Sequence, residues 1–424
     1  MVKINSTGTK QWDKRYGGSS YDELSKISQL PTGEYFVAGY SSSPASGDKT
    51  QGSQGGRDYW VIKINAAGTK LWDRRFGGNL NDNLENFTLT PDGGYLLGGA
   101  SASGLSGDRS QLSRGGEDYW VVRLDEAGNK IWDRRFGGSD KDHLFSMGRL
   151  SNGSFYLGGY SHSGLSGDKS QASQGGKDYW LVVINGEGEK LWDRRFGGSL
   201  DDELRSVIRT RDGGYLLGGK SDSPRSGHKS QNSRGSTDYW IVKISSNGNK
   251  QWDQRYGGVG IEELRNLVAT PEGGYLLGGR TESGISGDKS QPSQGKQDYW
   301  LVQVALSGQE APAVEETTAV TANRESTVAR INVRESTETR LQVRPNPFTE
   351  HLQVSLALTE SGPVSLQVYN SQGQRVTTLF QGQAEAGKNY QFQWQPSVQQ
   401  AAGLYLLRLH TPAKTQTTKI IFTK

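Results

Sequence analysis

The chain has 424 residues, no Cys, 58 Gly, and a net charge of +4 from 49 Lys and Arg against 45 Asp and Glu. All of that excess lies beyond residue 342, where seven basic residues face three acidic ones (7 − 3 = +4), so the first 342 residues are neutral and lack the basic face that nucleic-acid binding needs. Without Cys there is no disulfide scaffold, thiolate metal site or thiol catalysis. No apolar run approaches the roughly 18 residues of a membrane span. Gly at about twice its usual share, with 11 Trp and 18 Tyr, points to a turn-rich all-β chain and away from disorder.

Met1-Val-Lys-Ile-Asn-Ser is no secretory leader, which would be basic and then apolar, and reads as the inside of a repeat. The natural start is therefore expected upstream. Repetition organises everything that follows. Trp12, Trp72, Trp132, Trp192 and Trp252 are 60 residues apart, and so are Trp60, Trp120, Trp180, Trp240 and Trp300. Each copy carries Trp-Asp-x-Arg-(Tyr/Phe)-Gly-Gly, an acidic stretch, a Gly-rich strand, a Ser/Gly-rich loop and Asp-Tyr-Trp. The second copy predicts four strands, at about 85–90, 95–101, 118–124 and 130–136, with turns at Pro91–Gly94 and Ala127–Asn129. Four antiparallel strands per copy suit a propeller blade, and a single blade cannot bury both of its faces.

Residues 1–308 thus read as a five-bladed β-propeller of four-stranded blades. Its strand layout resembles that of kelch-type propellers, which implies a first strand lining the central channel and an outermost Trp-Asp strand. The fifth copy has three strands, and the Trp12–Tyr16 strand is expected to supply its fourth and close the ring. Val2–Ile4 duplicates a third-strand place that Trp300–Val304 already fills, so those residues would hang free, or the chain would be part of a larger ring.

Residues 309–342, rich in Ala, Thr, Glu and Val, read as an extended linker. From residue 343 to 424 six alternating strands, at 352–358, 364–369, 375–380, 390–394, 404–410 and 417–422, suggest a small immunoglobulin-like β-sandwich. Its motifs resemble the type A C-terminal sorting domain of the type IX secretion system. They are Pro345-Asn346-Pro347 at the entry, Val368-Tyr369-Asn370 with Gly373, Ala386-Gly387, Gly403-Leu404-Tyr405, and the basic last strand at Lys419. The resemblance implies export to the outer-membrane surface or beyond, with the secretion machinery and its sortase as partners.

Two sets of acids are candidate site residues. Asp22, Asp82, Asp142, Asp202 and Glu262 precede the channel strand and could ring one mouth, holding Ca²⁺ or sugar hydroxyls, or they could cap turns. Asp48, Asp108, Asp168 and Asp288 lie further out, with His228 replacing the acid in the fourth copy. Asp73 and Arg75 share one strand face and are expected to pair with each other or with the next blade. None of the five His recurs at the period or stands in a catalytic motif. The chain therefore reads as a non-catalytic surface binding or adhesion protein for a glycan or protein ligand, without a cofactor. The alternative is a secreted glycan-acting hydrolase, which would break its repeat symmetry in one pocket.

Overall fold

A computed structural model describes residues 1–270, 273–304 and most of 340–423; within the last stretch 345, 347, 359–360, 371, 373, 386–388, 397–399 and 412–414 are not described. The chain divides into two compact units, Met1–Asn323 and Arg324–Lys424.

The first unit is an array of antiparallel sheets, one per repeat. The second repeat folds as Asp82–Leu89, Tyr95–Ser101, Asp118–Leu124 and Lys130–Phe136, paired in chain order. Its turns are set by Gly93 and Gly128 at φ of +84° and +83°, a region open to Gly at little cost. Tyr95–Ser101 and Asp118–Leu124 are buried throughout, because blades pack against both of their faces. First strands of successive blades adjoin on the inner side, and the Trp-Asp strand is the outer edge.

Every first strand carries a bulge. In the second blade Leu84 pairs with Gly99 and Asn86 with Gly98, leaving Glu85 as the extra residue. The bulge drives a backbone carbonyl against the facing strand: a Cβ on Gly99 would lie 1.9 Å from the Asn83 oxygen. Only Gly fits there, which accounts for Gly39, Gly99, Gly159, Gly219 and Gly279, the Gly common to all five second strands.

The expected closure does not occur. The Trp12 strand pairs with Val2–Ile4, Lys3 opposite Trp12, and the fifth sheet has three strands among the described residues. A hairpin turning at Gly8 is a far cheaper loop to close than one joining strands nearly 300 residues apart. Nor does Val2–Ile4 hang free, since the hairpin packs Met1, Trp12 and Tyr16 onto the first blade's Val37, Trp60, Ile62 and Ile64.

In the second unit, Arg340–Arg344, Leu352–Ala357 and Asn389–Trp394 form one sheet. Arg375–Ala384, Gly362–Asn370, Gly403–His410 and Thr415–Phe422 form the other. The six expected strands are all present. A seventh begins at Arg340, inside the segment read as linker, because Leu341 and Val343 pack on the sandwich core. Residues from both sheets, among them Leu352, Val354, Leu366, Leu407 and Ile420, make that core. Asn346 clamps the last strand by donating to the Lys419 carbonyl at 2.9 Å and accepting from the Ile421 amide at 2.8 Å. Pro345, Pro347, Gly373 and Gly387 lie outside the described residues.

Candidate ligand-binding face

The acids of the first candidate set each sit in a turn of their own blade. Asp142 is fully buried and accepts from the Gly138 amide at 2.7 Å and the Ser163 hydroxyl at 2.9 Å. Asp82, Asp202 and Glu262 hold Gly78, Gly198 and Gly258 in the same way, and Asp22 holds Gly18. This is the turn-capping arrangement. Burial pushes Asp142 and Asp202 up to about 6. Among the described residues no group of three or more acidic or His side chains is placed to hold a metal ion.

The outer acids brace loops. Asp108 accepts from the Gly77 amide and pairs with Arg75, both at 3.1 Å. Asp48 and Asp168 accept from Gly17 and Gly137, and Asp168 also pairs with Arg114 at 2.7 Å. Asp288 accepts from Gly257 and pairs with Arg234 at 3.0 Å. His228 instead faces Arg195 at 3.4 Å, and burial together with that guanidinium brings its pKa down to about 4. Asp73 does not pair with Arg75. It accepts from the Trp60 indole, Lys70 and the Thr50 amide, while Arg75 reaches Asp108 of the next blade.

A different set of residues forms a surface that varies from blade to blade. The five copies differ in their two hairpin turns, at the ends of their first strands and beside the first-strand bulges, and the last group lies together at one end of the blades. The bulge residue is Ser25, Glu85, Phe145, Arg205 or Arg265. The residue two before it is Glu23, Asn83, His143, Glu203 or Glu263, and the second-strand residue opposite is Tyr40, Ala100, Tyr160, Lys220 or Arg280. The residue ahead of the third strand is Arg57, Glu117, Lys177, Thr237 or Gln297.

From the second blade to the fifth, most of these side chains link into one line, and those of the first blade form a separate group. His143 lies between Glu85 at 3.3 Å and Glu117 at 3.4 Å, and stacks near Phe145 and Tyr160. Arg205 lies over Phe145 at 3.9 Å and binds Glu203 at 2.6 Å; Glu203 also holds Lys177 at 2.5 Å. Lys220 bridges Glu203 and Glu263 at 3.6 and 3.4 Å, and Glu263 binds Arg280 at 3.0 Å. In the first blade Arg57 covers Tyr21 and Tyr40, both at 5.3 Å. Burial opposes the His143 charge, but Glu117 and Glu85 outweigh it and raise its pKa. Burial likewise opposes the Glu203 charge, and Lys177, Arg205 and Lys220 overcome it and lower its pKa. Tyr21 and Arg265, in the first and fifth blades, are about half exposed.

Reading for uniformity rather than variation passes over this face. Its signal was available as the columns in which otherwise matching copies change charge or become aromatic.

Residues 342–423 match the family model of the secretion system C-terminal sorting domain. The chain therefore carries a type IX sorting domain, which directs it to the outer-membrane surface or beyond and implies contact with the secretion machinery. No helix among the described residues is long and apolar enough to cross a membrane. The chain is 22% identical over 305 residues, 67% of its length, to the regulatory protein FlaEY of Caulobacter vibrioides, and spans only 32% of that protein. Among solved structures, a Synechocystis apocarotenoid oxygenase mutant matches at 12% identity over 65% of this chain and 61% of its own, with a TM-score of 0.34. A family 32 glycoside hydrolase from Bifidobacterium adolescentis matches at 10% identity over 96% and 77%, with a TM-score of 0.31. At those scores neither likeness bears on activity.

Proposed function

We propose that the protein is a surface-displayed binding module that takes a polar, charged glycan or protein ligand along its repeat-variable face. The observation that carries this reading is the contrast between matched scaffold and unmatched face. Buried turns, bulges and inter-blade contacts repeat from copy to copy, whereas the residues on and beside the bulges differ in charge and aromaticity. A bulge re-aims one side chain without disturbing the sheet around it, so each blade can offer its own group at the same place. Aromatic rings beside Arg, as at Tyr21, Tyr40 and Arg57, suit sugar rings and peptide side chains alike. The sorting domain supports exposure to such ligands outside the cell.

Glycan and peptide arrays probed with the full chain and with Arg205→Ala and Tyr21→Ala test the reading. Binding should fall by about 10-fold or more per variant, as for a contact of about 1.4 kcal/mol or more, with Tm nearly unchanged. Ligands held equally well by both variants would place the site elsewhere.

A further inference from the structure

Toward the hairpin end of the first strands, away from the variable face, the first three blades border a cavity of about 970 Å³. Small-molecule sites occupy roughly 300 to 1,000 Å³. Leu30, Phe87, Leu89, Met147 and Leu150 supply its apolar walls, and its charged groups are Lys26, Lys63 and Arg149 against a single acid, Glu126. Glu34 pairs with Lys63 at 2.9 Å, which still leaves two cations facing one carboxylate. Lys26 donates to the Asn86 side chain at 2.8 Å and to the Phe87 carbonyl at 2.9 Å, and these bonds set its ammonium over the Phe87 ring at 5.2 Å. Arg149 is exposed at the rim.

These lining residues depart from the repeat. Lys26 stands where the other copies have Asn86, Ser146, Ser206 and Asn266, and Arg149 stands where the first two have Gln29 and Leu89. Leu30 and Leu150 take the place of Thr90, Thr210 and Thr270. Between the third and fourth blades, Arg209, the counterpart of Leu89, lies over Tyr215 at 4.7 Å, and Tyr156 reaches across to the Val207 carbonyl at 3.0 Å. In the second blade the shorter Leu89 leaves Tyr95 on the cavity wall.

We propose that this cavity binds an amphipathic anion, a small molecule with an apolar body and one acidic group. The body lies against Phe87, Leu89 and Met147, and the acidic group is drawn to Lys26 and Arg149. Burial of the apolar body supplies the attraction, and the surplus of cations selects the head group: an anion gains charge-assisted hydrogen bonds, an alcohol gains less, and an ammonium is repelled. The site is separate from the variable face and does not rest on the binding assigned there.

Isothermal titration of the full chain with octanoate, octanol and octylammonium tests this. Octanoate should bind at least 10-fold more tightly than octanol and raise Tm, as a ligand of the folded state does, and octylammonium should not bind. Arg149→Glu, an exposed change, should weaken octanoate about 10-fold or more and leave octanol unaffected. Thr88→Trp should fill the cavity and abolish binding of both, with the far-UV circular dichroism of the parent; Ser28→Trp fills it from the first blade should that variant not fold. Arg205→Ala, on the variable face, should bind octanoate as the parent does. Absence of octanoate binding, octanol bound as tightly as octanoate, or undiminished binding by the Trp variants each overturns the proposal. Loss of binding in Arg205→Ala would place octanoate on the variable face and overturn it as well.

Discussion

Asp193 shows how much one buried carboxylate does in each blade. It accepts from the Trp180 indole at 3.0 Å, from Lys190 at 2.8 Å and from the Ser170 amide at 3.0 Å. Burial works against its charge, and these donors together outweigh burial and lower its pKa. Asp193→Ala strands a buried indole N–H and a loop amide and should cost about 2 to 3 kcal/mol, read by urea denaturation; Asp193→Asn, which keeps an acceptor, should cost less. The turn acids behave oppositely. Burial raises Asp58, which accepts from the Gln54 amide of its own loop at 2.7 Å, to about 7 and Asp142 and Asp202 to about 6, above their unfolded values. Between those values the folded state holds protons that the unfolded chain has released, so their contribution to stability grows as pH falls. His143, also raised, adds in the same direction, while His228, lowered to about 4, opposes it. Asp82, Asp118, Asp178 and Asp238 are raised as well, and Lys169 and Lys229, lowered to about 8, titrate mostly above this window, so Tm should be higher near pH 5.5 than near pH 7.5, and Asp58→Asn should flatten that slope.

At the scale of the strand, what could be read in advance was what depends on local chemistry. Gly at positive φ marks hairpins, alternation marks strands, and a 60-residue period counts blades, so the second repeat's elements were legible nearly to the residue. The bulge was not, because it is a property of pairing register between two strands. Neither was the partner of the Trp12 strand, since two strands of like pattern compete for it and only their separation along the chain decides. The acids were legible as residues, but their place depends on which way a turn folds around them. The bulge also makes a sharp stability test. Gly99→Ala would press a methyl against the Asn83 carbonyl and should shift the bulge and cost several kcal/mol, whereas Gly104→Ala meets nothing within 4 Å and should stay within about 0.5 kcal/mol. Circular dichroism melts of the two variants separate these outcomes.

For the molecule as a whole, the tail is a compact unit with its own core. Behind an export signal in a host with this secretion system, the full chain should reach the surface and lose about 80 residues to the sortase. A chain ending near Gln342 should remain in the periplasm, as detected by fractionation and immunoblot.

The contiguity of each complete blade, from Asp82 to Phe136 for instance, has a mechanical meaning. Among the described residues no blade is sealed by a strand from the far end of the chain, so tension applied across the array loads the blades in series and no single latch guards them all. A bound ligand pulling against a tethered chain end would open one blade at a time. Each rupture would release one 60-residue repeat, roughly 200 Å of contour length at about 3.5 Å per residue. Single-molecule stretching should then give a sawtooth of near-equal steps. A ring latched by its N-terminal strand would instead yield first at the latch and lose the remaining blades together. An attachment built on the first plan dissipates force gradually and keeps its remaining contacts while it stretches.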